Sequence, residues 1–122
     1  MDALPPALSS MWRLCRLGYR HEPALIVAGR ADAQVPVSFN ARPYYGQNRI
    51  VEGAASKLSY LEVQNAQHFD AFIDDAAFPG YDSRYVPLHY YYIQALDRMW
   101  AHLTQGAALP PSFRNFVGRD SD

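Results

Sequence analysis

The stretch ALIVAG at residues 24–29, followed by RADAQVP at residues 30–36, decides the predicted fold. Its first five residues form an apolar run without polar alternation, and such a run is typical of a strand buried on both faces of a parallel sheet. Gly29 ends the run, and a polar loop closed by Pro36 follows. Asp32 therefore comes just beyond the carboxyl end of a predicted buried strand.

A second strand is predicted at LSYLEV, residues 58–63, because these residue types fit a pleated surface. The loop NAQHFD at residues 65–70 follows this strand and contains His68. Asp32 and His68 thus occupy equivalent positions, each in a loop after a strand, where open α/β sheets hold their catalytic and ligand-binding groups. If the two strands are neighbours, we expect the two side chains to meet.

Two helices are predicted around these strands. The first runs over residues 38–52 and ends at Gly53, and the second has apolar residues at helical spacing over residues 87–105 and ends at Gly106. The order strand, helix, strand, helix is typical of an α/β protein with a parallel sheet. The predicted fold class is therefore α/β, with about two strands and flanking helices.

The composition restricts the class of protein. A chain of 122 residues with 49% hydrophobic and 19% charged residues is typical of one packed domain. The formal net charge of −1 gives no electrostatic basis for binding nucleic acid or an anionic membrane. The longest strongly apolar stretch, residues 23–29, is far shorter than the roughly 20 residues that span a bilayer. The first residues also lack the pattern of a signal peptide.

Asp32 and His68 together suggest a specific chemistry. An Asp that accepts the Nδ1–H of a His fixes the tautomer of the ring and leaves Nε2 to take a proton from a serine hydroxyl. The order Asp32 before His68 agrees with the last two members of the hydrolase order Ser, acid, His. None of the eight serines lies in a Gly-x-Ser-x-Gly setting, so we predict that this chain contains no nucleophile.

Simpler interpretations of the same residues stay open. Asp32 is also a common turn residue, and His68 also fits a partly buried histidine with satisfied hydrogen bonds. His68 and Asp70 have H-x-D spacing, but a metal site needs three or four ligands and nothing else converges in the sequence. Cys15, the single cysteine, gives neither an internal disulfide nor a Cys-based zinc site. We predict no cofactor and no metal.

Short motifs beyond the acid-bearing loop carry a family resemblance. They are Arg42-Pro43-Tyr44, Asn48-Arg49, Val51-Glu52-Gly53-Ala54, Leu58-Ser59-Tyr60, Asn65-Ala66-Gln67-His68-Phe69-Asp70-Ala71-Phe72, Pro79-Gly80-Tyr81-Asp82 and Arg84-Tyr85-Val86-Pro87-Leu88-His89. Together with residues 23–37, they resemble the C-terminal part of the bacterial D-3-hydroxybutyrate oligomer hydrolases, which split short esters of 3-hydroxybutyrate into monomers. The resemblance covers about Pro23 to Pro111.

The resemblance implies the C-terminal portion of an α/β-hydrolase sheet. By position, Asp32 resembles the acid of the catalytic relay and His68 its general base, whereas the serine belongs to an upstream part of such enzymes. The implied substrates are 3-hydroxybutyrate oligomers, and an N-terminal complementing segment is a candidate partner. We expect the isolated chain to be inactive. The family is associated with secretion, although this chain gives no signal of its compartment.

The predicted organisation has three parts: an unassigned segment over residues 1–22, the hydrolase-like part over residues 23–111, and a frayed tail over residues 112–122. Two alternative functions stay open. One is a different α/β-hydrolase, either a general esterase or a peptidase, and the other is a non-enzymatic α/β binding module.

Overall fold

Three strands and two α-helices make up the part of the chain that the computed structural model describes, residues 22–116. Two short 3-10 turns, Gly53–Ala55 and Asp70–Phe72, lie between them. In chain order the main elements are β1 (Ala24–Gly29), α1 (Ala41–Glu52), β2 (Leu58–Val63), α2 (Leu88–Gln105) and β3 (Phe113–Phe116).

The strands form one parallel sheet in the order β1-β2-β3. The pairing of β1 with β2 runs without interruption from Ala24 opposite Leu58 to Gly29 opposite Val63. The parallel sheet with its helices confirms the predicted α/β class. The pairing of β1 and β2 also brings the loops after them to the same edge of the sheet.

The third strand corrects one prediction. Residues 112–122 are predicted to be a frayed tail, but β3 pairs with β2 over Phe113–Phe116. The Ser59 hydroxyl donates to the carbonyl of Pro110 over 2.8 Å, and the Tyr60 amide donates to the Ser112 hydroxyl over 3.0 Å. These bonds hold the chain beside β2 before β3 begins. Residues 117–122 of the predicted tail lie outside the described residues.

One helix covers each face of the sheet. On the first face, Tyr45 of α1 stacks on Tyr60 of β2 with ring centroids 5.2 Å apart. On the opposite face, Val63, Ala66 and Tyr91 of α2 form a buried cluster, against which Val27, Val86 and Leu88 pack. Because side chains alternate along a strand, Tyr60 and Val63 point to different layers.

The C-terminal ends of both helices agree with the sequence signals, whereas the first helix begins later than predicted. The first helix begins at Ala41 rather than at Ser38, and Pro43 lies in its first turn, where a missing backbone N–H costs little. It ends at Gly53, which has a φ of +55°, and α2 ends at Gly106 in the left-handed conformation with a φ of +70°. Neither described helix is long and apolar enough to cross a membrane.

β1 is less buried than its apolar sequence predicts. Its residues before Gly29 are half-buried, and among the described strands β1 pairs only with β2. An apolar groove of about 340 Å³ runs between β1 and α2, lined by Leu25, Ile26, Val27, Tyr92, Ala95, Leu96 and Met99. The expected burial on both faces is therefore wrong for this strand.

Candidate active site

The loops after β1 and β2 are hydrogen-bonded to each other at the edge of the sheet. The Arg30 amide donates to the Val63 carbonyl over 2.9 Å, and the Ala31 amide donates to the Ala66 carbonyl over 3.0 Å. Gly29 permits this approach, since a Cβ at that position would lie 2.6 Å from the Ala66 oxygen. The two loops therefore have little freedom to separate.

Asp32 and His68, the two predicted site residues, meet across these loops. Nδ1 of His68 lies 2.9 Å from Oδ2 of Asp32. The other carboxylate oxygen, Oδ1, accepts hydrogen bonds from the amides of Gln34 and Val35 over 2.9 and 2.8 Å. The carboxylate thus fixes its own loop with one oxygen and binds the histidine with the other.

Electrostatics keep the Asp32 carboxyl ionised. Burial raises the pKa of Asp32, but the hydrogen bonds from the Val35 amide, from His68 and from the Gln34 amide together outweigh it and leave that pKa below its usual value. An ionised carboxylate only accepts hydrogen bonds, so Nδ1 of His68 carries the proton in this contact. Nε2 is then the nitrogen that can exchange a proton with a bound group.

Gln67 links the two loops a second time, and sequence reasoning missed it. Its side-chain oxygen accepts hydrogen bonds from the Ala33 amide over 3.2 Å and from the His68 amide over 3.3 Å. Ala33 directly follows Asp32, so Gln67 holds the backbones beside both members of the pair. Its place directly before His68 is the only signal that the sequence gives.

Asp70, which has H-x-D spacing with His68, caps the second helix. Its two carboxylate oxygens accept hydrogen bonds from the amides of Leu88 and His89 over 2.8 and 2.6 Å. These amides lack partners within α2, and a carboxylate at a helix N-terminus also interacts favourably with the helix dipole. Within residues 22–116 no group of three or more His, Cys, Asp and Glu side chains could hold a metal ion.

An open cleft of about 350 Å³ lies beside the pair. It is lined by Val27, His68, Asp70, Leu88, His89 and Tyr92. Val27, Leu88 and Tyr92 give this lining an apolar and aromatic part, whereas His68, His89 and Asp70 bring polar groups that can form hydrogen bonds. The arrangement suits a small molecule with an apolar body and one reactive polar group.

Aromatic rings continue from His68 into the loop before α2. The His68 ring meets Phe69 edge to face with centroids 4.8 Å apart. Further ring contacts follow in the pairs Phe69–Phe72, Phe72–Phe78, Phe72–Tyr81 and Tyr81–Tyr85. The Tyr81 hydroxyl also donates to the Phe69 carbonyl over 3.0 Å. This packing supports the loop that carries the histidine.

A buried carboxylate, Glu62, lies on β2 and was not predicted as a site residue. Its side chain has no exposed surface and binds Arg42 through two hydrogen bonds of 2.8 and 2.6 Å. The Tyr60 hydroxyl donates to it over 2.8 Å, and Nε of Arg30 lies 3.3 Å away. The bonds from Arg42 lower the pKa of Glu62, although burial opposes them. Burial raises the pKa of Tyr60.

Comparison with known proteins places the chain in a family. A family model described as 3HB-oligomer hydrolase matches residues 7–115. The chain belongs to the 3HB-oligomer hydrolase family. The resemblance seen in the sequence motifs is thereby confirmed, and the match is wider than residues 23–111, since it includes most of the segment over 1–22 that is unassigned from sequence. No solved structure matches the chain.

Curated relatives carry the same family name. The chain is 68% identical over 91 residues to the D-(-)-3-hydroxybutyrate oligomer hydrolase of Polaromonas sp., which is 75% of this chain and 12% of that protein. It is 59% identical over 113 residues to the enzyme of the same name from Cupriavidus pinatubonensis, or 91% of this chain and 16% of that protein. The chain thus spans only about an eighth to a sixth of the length of the relatives it matches.

Proposed function

We propose that this chain is the acid- and base-bearing part of an α/β-hydrolase that cleaves the ester bonds of 3-hydroxybutyrate oligomers. The observation that carries the proposal is the contact of 2.9 Å between Nδ1 of His68 and Oδ2 of Asp32, at the ends of two neighbouring parallel strands. Relatives that share up to 68% identity with this region are named D-(-)-3-hydroxybutyrate oligomer hydrolases. Geometry and relatives support the same chemistry.

In the proposed reaction, Nε2 of His68 removes the proton from a serine hydroxyl as the serine oxygen attacks the ester carbonyl. The ionised Asp32 holds the Nδ1–H tautomer and stabilises the imidazolium that forms. As the carbon–oxygen bond of the ester breaks, His68 gives the proton to the departing alkoxide oxygen of the next 3-hydroxybutyrate unit, which leaves as a free hydroxyl. Water, activated by the same histidine, hydrolyses the acyl-serine and releases the acid.

The serine and the oxyanion donors come, in this proposal, from sequence outside these 122 residues. No serine here lies in a Gly-x-Ser-x-Gly setting, in which the nucleophile is exposed on a sharp turn. A complementing N-terminal segment is the proposed partner. The half-buried β1 and the apolar groove beside it supply a surface that such a segment can cover.

The cleft beside His68 fits the proposed substrate class. Val27, Leu88 and Tyr92 offer apolar contact to the methyl and methylene groups of a short oligoester, and the cleft volume of about 350 Å³ suits a small ligand. No metal or cofactor enters the proposed mechanism. The same relay also serves general esterases and peptidases, so the substrate must be tested directly.

A chimera tests the proposal. The 91 matching residues of the Polaromonas relative are replaced with those of this chain, and hydrolysis of the 3-hydroxybutyrate dimer is measured beside a short p-nitrophenyl ester and a peptide. We expect the dimer to be hydrolysed, with a loss on the order of 10⁴ in kcat for Asp32→Asn and at least as large a loss for His68→Ala. The control Asp97→Asn changes an exposed residue of α2 and should leave the rate unchanged.

Other results of the chimera experiment would favour one of the two alternative functions, a different α/β-hydrolase or a binding module. Preference for the p-nitrophenyl ester or the peptide over the dimer indicates a different hydrolase. If both site variants keep the rate of the parent chimera, the pair is not a catalytic relay and a binding module becomes the better interpretation. The isolated chain should be inactive, and turnover that is lost in His68→Ala would contradict the proposed need for an outside nucleophile.

A further inference from the structure

Glu62 is a buried charge that the proposed reaction does not use. Its side chain is fully buried, yet it binds the guanidinium groups of Arg42 and Arg30 and the hydroxyl of Tyr60. Burying a carboxylate is costly, and apolar side chains of similar volume often stabilise a protein as well or better. Fold stability alone is therefore a weak explanation for a carboxylate at this position.

The two arginines lie at the two ends of the loop that carries Asp32. Arg30 is the first residue after β1, and Arg42 is the second residue of α1. Both reach the same carboxylate on β2, Arg42 through two hydrogen bonds and Arg30 through one ion pair of 3.3 Å. Glu62 thus ties both ends of the acid loop to the neighbouring strand.

The geometry of the bonds from Arg42 and Arg30 to Glu62 affects the position of Asp32. A guanidinium that binds a carboxylate through two parallel bonds fixes orientation as well as distance. Glu62 precedes Val63, whose carbonyl accepts the Arg30 amide, so side chain and backbone fix the start of the loop together. Asp32 lies two residues further along and has one oxygen bound to its own loop. The conformation of the loop therefore sets the position of its other oxygen, Oδ2.

We propose that Glu62 is a positioning residue for the Asp32–His68 pair: by holding Arg30 and Arg42, it keeps Oδ2 of Asp32 within hydrogen-bond distance of Nδ1. Reaction rates respond to displacements of about 1 Å in catalytic groups, so Glu62 also affects catalysis if the proposed function holds. Its effect on the geometry of the pair does not depend on the proposed function.

The tautomer of His68 provides a direct readout in the 122-residue chain. Imidazole ¹⁵N chemical shifts at neutral pH measure the fraction of neutral rings that carry the proton on Nδ1, which Asp32 favours. We expect this fraction to exceed one half in the parent chain and to fall below one half in Asp32→Asn. In Glu62→Gln, the Nδ1–H fraction should fall at least halfway from the parent value to the Asp32→Asn value, because the loop that carries Asp32 is no longer held.

Arg30→Gln covers the case in which Glu62→Gln does not fold. The Arg30 side chain is 44% exposed, so its replacement buries no new polar group. We expect Arg30→Gln also to lower the Nδ1–H fraction of His68. Tyr60→Phe is the matched control, since it removes one hydrogen bond to Glu62 but keeps both arginines and should leave the fraction unchanged. A parent-like fraction in every folded variant of Glu62 and Arg30 would overturn the proposal, as would a parent chain without the Nδ1–H form.

The chimera separates this proposal from the proposed function. In an active chimera, Glu62→Gln should lower kcat by at least tenfold with little change in KM, because Asp32 is displaced while the lining of the cleft is kept. An unchanged kcat contradicts the positioning role. A chimera with no hydrolase activity contradicts the proposed function, while the tautomer measurement on the 122-residue chain still decides whether Glu62 positions the pair.

Discussion

Nδ1 of His68 lies 2.9 Å from Oδ2 of Asp32, although 36 residues separate the two along the chain. The contact follows from the pairing of β1 with β2, which places Gly29 opposite Val63 and brings the next loops to one edge of the sheet. The second oxygen of Asp32 is occupied by the amides of its own loop. The pair is therefore built into the backbone arrangement and does not depend on a chance approach of two flexible side chains.

The first prediction concerns acid stability. Folding lowers the pKa of Asp32, so the stability contributed by its ionised form is present above the unfolded value of about 3.9 and is lost as the pH falls through the lower folded value. Asp32→Asn cannot titrate. We expect the difference in unfolding free energy between the parent chain and this variant to shrink from pH 6 to pH 2, as measured by urea denaturation.

Asp97→Asn is the control for this titration because its side chain is exposed on α2. The difference in unfolding free energy between Asp97→Asn and the parent chain should change much less over the same pH range. Glu62 also titrates with a lowered pKa, but it is present in every protein compared, so its effect largely cancels from the difference. A constant difference for Asp32→Asn would contradict the ionised, hydrogen-bonded carboxylate described here.

The second prediction concerns the close approach at Gly29. Gly29→Ala places a methyl group 2.6 Å from the Ala66 oxygen, so the two loops must move apart. We expect a loss of about 1–3 kcal/mol in unfolding free energy, the usual cost of overpacking. Gly46→Ala is the matched control, because Gly46 lies inside α1, where an added Cβ meets no atom within 4 Å outside the nearby backbone of the helix, and should stabilise by about 0.5–1 kcal/mol. If Gly29→Ala and Gly46→Ala change the unfolding free energy equally, the contact between the two loops at Gly29 is not crowded.

The sequence was sufficient to predict the loop position of each member of the pair because its signals are local, whereas their contact is predicted only if the two strands are neighbours. An apolar run that ends at Gly29 indicates a strand and its end, and Asp32 follows within three residues. Gly53 and Gly106 likewise mark the helix ends through their backbone conformation, which few other residues adopt. Each of these features depends on residues that are close together in the chain.

Features that depend on distant residues escaped prediction. β3 has only four residues and follows two prolines, and the bonds that hold its start come from Ser59 and Tyr60, about 50 residues away. Glu62 is fully buried, and Arg42 of α1, which binds it through two hydrogen bonds, lies 20 residues away in the sequence. The half-burial of β1 likewise depends on its neighbours in space, which an apolar run does not specify.

The third prediction concerns the helix cap provided by Asp70. Asp70→Ala removes the acceptors for the Leu88 and His89 amides, and α2 has no side-chain cap of its own at Pro87. We expect a loss of about 0.5–2 kcal/mol in unfolding free energy. Amide hydrogen exchange should become faster at those two residues. Asp97→Ala, within the same helix, should leave their exchange unchanged, and equal exchange in both variants would exclude the cap.

The fourth prediction concerns the apolar groove between β1 and α2. Leu96 lines this groove and is 46% exposed, and a large exposed apolar surface promotes self-association. Leu96→Lys should lower the average particle size of the isolated chain in light scattering. It should also lower the activity of the chimera, where the groove is proposed to be covered by the remaining polypeptide.

Ile50→Lys separates the groove from general solubility. Ile50 lies on α1 and is 80% exposed, so the substitution adds the same charge at an apolar site that does not line the groove. We expect it to leave the activity of the chimera unchanged and to reduce self-association less than Leu96→Lys does. If both substitutions act alike on both measurements, the groove has no special role and the added charge alone explains the effect.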